Sequence, residues 1–181
     1  IFEEQRTNLL TRSSEIDNAA WTKSGAAITA DQIAAPDGNT AADLFTENTA
    51  SSAHAVYNGF SATSGTTYTV SVFVKAGTQR YICLRGEDTD ATAGQAWPWI
   101  TLDTQTGTIA ANGSVTSSSV TAYANGWYRI SLTFVSGVTG TNNLVIAGGS
   151  SSAAPATNIS LGPSYLGTSQ TFYVWGAQAE A

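Results

Sequence analysis

In the segment Trp97-Pro98-Trp99-Ile100-Thr101-Leu102-Asp103, indoles alternate with aliphatic side chains. Read as a strand, it sends Ile100 and Leu102 to one face and Trp97 and Trp99 to the other, because successive side chains of a strand point to opposite sides. The two indoles then stand roughly 7 Å apart, two residues' rise along a strand. Such a pair is costly to leave against water, and exposed aromatic patches usually mark a place where something binds. An indole face suits the C–H side of a sugar ring, with planar polar side chains taking the equatorial hydroxyls. The strand around Tyr81-Ile82-Cys83-Leu84-Arg85 offers such partners. With Ile82 and Leu84 toward the core, Tyr81, Cys83 and Arg85 face outward. Arg85 brings a fixed fork of donors suited to a hydroxyl pair or a uronic-acid carboxylate. Glu87, Asp88 and Asp90 follow at once as acceptors. The sequence thus nominates Trp97, Trp99, Tyr81, Arg85, Glu87 and Asp88 as a ligand-binding set. The competing structural role for the Trp pair is to be capped by a long loop or a neighbouring subunit.

The elements that must position these residues are strands. Thr67 to Val74 alternates, with Tyr68, Val70, Val72 and Val74 on one face. Tyr128, Ile130, Leu132 and Phe134 alternate with Arg129, Ser131 and Thr133. Asn125-Gly126 ahead of that strand is a strong hairpin signal, since both residues tolerate positive φ. Thr106-Gly107 and Ser64-Gly65 mark further tight turns. Ala42–Thr46, Ala53–Tyr57, Asn143–Ile146 and Thr171–Trp175 supply other strands, and Ser13–Ala20 has room for one helical turn capped by Ser14 or Asp17. The pattern predicts an all-β fold: a two-sheet antiparallel β-sandwich of about 9–11 strands. Two turn-rich stretches, Gly86 to Ala96 and Gly148 to Ser169, are candidate functional loops.

Composition narrows the function classes. The 181 residues suit one domain over 1–181, and the abrupt start and end fit a unit excised from a larger protein. Only 11% of residues are charged, so Ser, Thr, Asn and Gln must make the polar surface, as is common in extracellular or virion β-proteins. A formal net charge of -6, with Lys+Arg totalling 7, disfavours nucleic acid and anionic membrane surfaces. No stretch approaches 18 apolar residues, so no membrane insertion is expected. The one cysteine, Cys83, excludes an internal disulfide and reads as a small half-buried apolar residue. With a single histidine, His54, a zinc site is not expected, and His54 reads as a hydrogen-bonded packing residue. Glu87-Asp88-Thr89-Asp90 is a possible structural Ca2+ loop without EF-hand spacing, and Glu3 or Glu180 near the termini are alternatives. A hydrolase needs two carboxylates facing each other across the scissile bond. Glu87 with Asp103 or Asp43 is the pair to weigh, but the acidic residues fall mostly in loops without a shared strand face, so no catalytic residues are expected.

The residues also carry a resemblance. Glu3 to Ser13 followed by Asn18-Ala19-Ala20-Trp21-Thr22-Lys23, then Ala35-Pro36-Asp37-Gly38 with Ala41-Ala42-Asp43, Gly65 to Gly77, Asn125-Gly126-Trp127-Tyr128-Arg129 and Val174 to Glu180 resemble two related groups. These are jelly-roll carbohydrate-binding modules of the family 4/9/22 type and a module of phage tail-fibre and tail-spike proteins. The resemblance implies a jelly roll and a non-catalytic role. That role is gripping a polysaccharide or cell-surface glycan as a monomeric module, or serving as a structural or receptor-binding domain of a phage tail fibre, there as a trimer. It also implies an extracellular or virion-associated setting. Trp21, Trp127 and Trp175 belong to the shared pattern and read as residues closing the ends of the core, whereas Trp97-Pro98-Trp99 lies outside it. Phe73 and Arg129, on outward strand faces, are expected either beside the Trp pair or under a loop.

Overall fold

The computed structural model describes residues 7–88, 97–151 and 161–181. Among the described residues fourteen strands follow one another: β1 (Thr22–Ser24), β2 (Ala26–Ala34), β3 (Thr40–Glu47), β4 (Ser51–Ala53), β5 (Ala55–Ala62), β6 (Thr67–Ala76), β7 (Tyr81–Asp88), β8 (Trp99–Asp103), β9 (Thr108–Gly113), β10 (Ser117–Ala122), β11 (Trp127–Val135), β12 (Gly140–Gly149), β13 (Ser164–Leu166) and β14 (Thr171–Glu180). They form two antiparallel sheets of six strands, ordered β1-β5-β12-β7-β8-β9 and β10-β11-β6-β14-β3-β2, with β13 pairing β4 at the side. This is the two-sheet β-sandwich that the alternation predicts. The strand count exceeds the expected range because β1, β4 and β13 are three-residue strands without a pattern to read, and because β2 and β9 carry mainly small and polar residues.

The core lies between the sheets. The first sheet contributes Val56, Phe60, Ile82, Leu84, Ile100, Leu102, Leu144 and Ile146, and the second Phe45, Val70, Val72, Val74, Ile130, Leu132, Phe134, Phe172 and Val174. Burying each such side chain is worth about 1.5–3 kcal/mol. Phe45 and Phe172 stack with centroids 4.3 Å apart, tying β3 to β14. Trp21 and Trp127 are buried, and each indole N–H finds a carbonyl, Arg12 O at 2.9 Å and Ala34 O at 3.3 Å. His54 is buried with Nδ1 2.7 Å from Gly25 O and Nε2 3.2 Å from Tyr165 O, the packing role expected for it.

The hairpin at Asn125-Gly126 forms as expected, with φ of 61° and 77°, and the Tyr123 N–H closes it onto Trp127 O at 2.8 Å. The Ser13–Ala20 stretch differs: it makes successive turns and no helix. Its Asp17 N–H is drawn instead to Asp43 Oδ2 at 3.0 Å. Asp43, buried on β3, also accepts the Asp31 N–H at 3.0 Å, so one carboxylate pins both the N-terminal turns and the bulge of β2. Burial pushes its pKa up despite those N–H donors. Among the described residues, no helix is long and apolar enough to cross a membrane.

Candidate functional site

The outer face of the first sheet carries Tyr81, Arg85 and Trp99. Its registers set Tyr57 opposite Val145, Val145 opposite Arg85, Arg85 opposite Trp99, and Trp99 opposite Gly113. One row of side chains therefore crosses the sheet from β5 to β9. The next row is small: Ala55, Ala147, Cys83, Thr101 and Ala111. A row on the other side sets Gly59 opposite Asn143 and Asn143 opposite Glu87. Cross-strand neighbours stand about 4.5–5.5 Å apart, so these rows form a continuous floor.

Arg85 is the centre of that floor. It is 2% exposed, and its guanidinium lies 5.1 Å from the Trp97 ring centroid. A cation over an indole face is attracted by the ring quadrupole, most strongly when desolvated. Trp99 reaches the other way, over Gly113: a Cβ there would lie 2.5 Å from Trp99 Nε1 and 2.8 Å from Cε2. The glycine thus lets the indole lie flat on β9. Strand β8 begins at Trp99, and Trp97 precedes it, with Pro98 O accepting the Gly86 N–H at 3.0 Å. Both indoles are half-buried, and Trp97 Nε1 is a buried donor with no partner among the described residues. The structure therefore brings Trp97, Trp99 and Arg85 together, not as an open platform: Arg85 packs on Trp97, while Trp99, its neighbour across the ladder, lies over Gly113.

Tyr81 lies farther along β7, opposite Asp103 and Gly149. The Arg80 guanidinium sits 4.9 Å from its ring and donates to both Asp103 oxygens, at 3.0 and 2.8 Å. These bonds hold the Asp103 carboxyl below the usual carboxylate range. Beside Tyr81 a cavity of about 330 Å³ opens, lined by Gln79, Arg80, Glu47 and Tyr165 among others. Between the two ends the floor is covered: Cys83, Ala55, Val145 and Ala147 form a small apolar cluster with Tyr57 and Leu161 packed on it. Cys83, expected half-buried, is 1% exposed with Sγ 3.2 Å from Thr101 Oγ1, and burial pushes its thiol pKa up.

Glu87 and Asp88 are the last residues of β7, while Thr89, Asp90 and the rest of the proposed acidic loop lie outside the described residues, as does Glu3. Among the described residues no cluster of three or more His, Cys, Asp or Glu side chains could hold a metal. The carboxylate pairs weighed for hydrolysis are not brought together. Asp43 belongs to the second sheet. Asp103 stands opposite Tyr81, roughly 20 Å from Glu87 at a strand's rise per residue. Phe73 and Arg129 are not beside the Trp pair: β6 and β11 lie in the second sheet, so their outward faces look the opposite way. Trp175 also departs from expectation. It is half-buried on that same outer face, because the alternation that sends Phe172 and Val174 to the core turns Trp175 outward, ahead of the bulge. The residues missed are Tyr57, Val145 and Asn143. Only their strand neighbours bring them to Arg85, and strand order has no local signal.

No family model matches the chain, and no curated protein matches it. Among solved structures, the enzymatically active domain of bacteriophage CBA120 tailspike protein 4 aligns over 95% of this chain at 11% identity, with a TM-score of 0.55. The match covers 21% of that chain, so this chain spans about a fifth of the tailspike domain's length. TmCBM61, solved in complex with β-1,4-galactotriose, aligns over 96% of this chain and 97% of its own length, at 11% identity and a TM-score of 0.53. A CBM4 structure aligns over 95% of this chain and 92% of its own at 15% identity, with a TM-score of 0.46. At such identities the shared property is the fold. It is a β-sandwich with the extent of a whole carbohydrate-binding module, found also as one part of a phage tailspike.

Proposed function

We propose that this domain binds a polysaccharide or cell-surface glycan without cleaving it, on the outer face of its first sheet. The observation that carries the reading is the Arg85–Trp97 contact with Trp99 beside it across the ladder. Two indoles offer apolar faces for pyranose C–H groups, and a desolvated guanidinium holds the Trp97 ring in place. Tyr57 stands in the same row as Arg85 and Trp99, and Asn143 on the adjoining row adds an amide. Carboxylates favour binding over hydrolysis: Asp43 and Asp103 hold backbone N–H groups and Arg80, and Glu47 holds a loop. Likeness in fold to TmCBM61, solved with β-1,4-galactotriose, supports the same class of ligand. The low charge suits an extracellular or virion-associated setting.

A second reading has its own observation, the likeness to part of a phage tailspike. In it the domain is one protomer of a trimeric fibre, and glycan binding serves receptor recognition. Affinity electrophoresis on a panel of polysaccharides, with and without EDTA, tests the first reading, with indole fluorescence followed in parallel. Retardation by a glycan together with a shifted Trp emission is the expected result. Loss on adding EDTA places calcium in the binding fold. No ligand across the panel overturns the binding reading, and sedimentation as a trimer would then favour the fibre.

A further inference from the structure

We infer that the opposite side of the sandwich carries a second saccharide site, formed by Phe73, Tyr123, Arg129, Trp175 and Gln178, that takes a sugar bearing a carboxylate, a uronic acid. It is separate from the face around Arg85 and does not depend on it. Registers of the second sheet set Trp175 opposite Phe73 and Phe73 opposite Arg129, so an aromatic pair and a cation stand in one row from β14 to β11. The Phe73 ring lies 5.6 Å from Trp175 and 5.1 Å from Tyr123, edge-on to the latter. Tyr123 is 44% exposed, which leaves apolar ring surface open at the rim of a cavity of about 510 Å³. That volume is within the range of small-molecule sites.

The floor of the cavity is built to hold the arginine still. Arg129 Nη2 donates to Gln178 Oε1 at 2.6 Å and to Ser71 Oγ at 3.1 Å, and its guanidinium lies 5.7 Å from the Phe73 centroid. The bulge that brings Gln178 into line places Gly176 at φ +63°, where a Cβ would sit 3.3 Å from the Phe73 ring. The hydrogen-bond partners of Arg129 are neutral, and among the described residues no carboxylate pairs with it. Asp37, on the rim, holds Asn39 through both oxygens. A planar fork fixed on one side and open toward aromatic rings matches a ring-bound carboxylate. Phe73, Tyr123 and Trp175 supply the stacking surface, and Asp37 with Ser13 and Ser14 border the hydroxyl end.

The test is an amide and indole chemical-shift titration of the whole domain with trigalacturonate, and with galactotriose as the neutral counterpart, at low salt. Expected are shifts at Phe73, Arg129, Gln178 and the Trp175 indole with trigalacturonate, at an affinity at least tenfold above galactotriose for these residues. Arg129→Gln should abolish that preference, Arg129→Lys should retain part of it, and Tyr123→Ala should weaken both sugars at this site. Unchanged dispersion of the core signals reports that each variant is folded. Trigalacturonate shifts confined to Arg85, Trp97 and Trp99 would overturn the second site while leaving the first reading intact. Absence of any trigalacturonate shift, or equal affinity for both sugars at Arg129, would overturn it too.

Discussion

Arg85 on β7 and Trp99 on β8 face each other directly across the ladder, on the side of the sheet turned away from the core. The guanidinium also packs on the Trp97 ring, so the arginine helps set how that indole is presented. Removing it therefore does more than delete a charge. Arg85→Ala should release the Trp97 ring and weaken glycan binding at least as much as loss of that indole. Trp99→Ala and Trp97→Ala should each cost about tenfold in affinity, near 1.4 kcal/mol, since aromatic stacking beyond area burial is worth about 0.5–1.5 kcal/mol. Affinity electrophoresis of the three variants against one retarding polysaccharide measures this. Wild-type retardation of Trp99→Ala would move the site elsewhere.

Gly113 gives a subtler test of the same surface. Its missing side chain is what allows Trp99 to lie over β9, with a virtual Cβ only 2.5 Å from the indole nitrogen. Gly113→Ala forces the ring to lift or rotate, while the edge strand itself tolerates alanine. The expected outcome is a folded protein with a shifted tryptophan emission and reduced glycan affinity. Unaltered emission would show that the indole is not held by this contact.

Much of this was legible in the sequence, for a definite reason. Where a strand buries one face, strict alternation assigns every side chain, and so Ile82, Leu84, Ile100, Leu102 and the valines of β6 are in the core while Arg85 and Trp99 face out. Asn125-Gly126 was equally readable, because its turn demands φ values that few residue pairs accept. Strand order carries no such local code. Nothing near Arg85 in sequence names Val145 as its neighbour, and nothing near Phe73 says that β6 and β7 lie in different sheets. Trp175 was misplaced although the period of two that buries Phe172 and Val174 turns it outward; the bulge that follows shifts only the later residues, bringing Ala177 and Ala179 to the core. Cover over Cys83 was hidden as well, since Leu161 reaches it from a distant part of the chain.

Glu47 and Tyr165 make a test of stability independent of any ligand. Glu47, 2% exposed at the end of β3, accepts the Tyr165 hydroxyl, the Thr168 N–H at 2.7 Å and the Gln170 N–H at 3.2 Å. It thereby fastens the 165–170 segment beside the cavity that contains Tyr81. Tyr165→Phe leaves a buried carboxylate oxygen without its donor and should cost about 1–3 kcal/mol in urea unfolding. Burial, reinforced by Glu47, also pushes the Tyr165 phenol well above the ordinary tyrosine range. In an alkaline absorbance titration, one tyrosine should stay un-ionised until the fold is lost, and in Tyr165→Phe that late step should disappear.

The Arg80–Asp103 pair sets an acid dependence whose sign can be worked out. Hydrogen bonds from Arg80, with a smaller share from the Gln105 N–H, hold the Asp103 carboxyl below its ordinary range. The unfolded chain then binds its proton at a higher pH than the folded chain does, so the stabilisation is fully present above about pH 4 and fades as the pH falls through the folded value. Wild-type Tm should accordingly drop more between pH 5 and pH 3 than the Tm of Asp103→Asn, which starts lower and has no proton to take up at this site. Because Arg80 is largely in solvent, the difference should shrink in high salt. Parallel Tm curves for the two proteins across that interval would mean that Asp103 titrates alike in both states, and that the turn at Gln105 rests on its backbone alone.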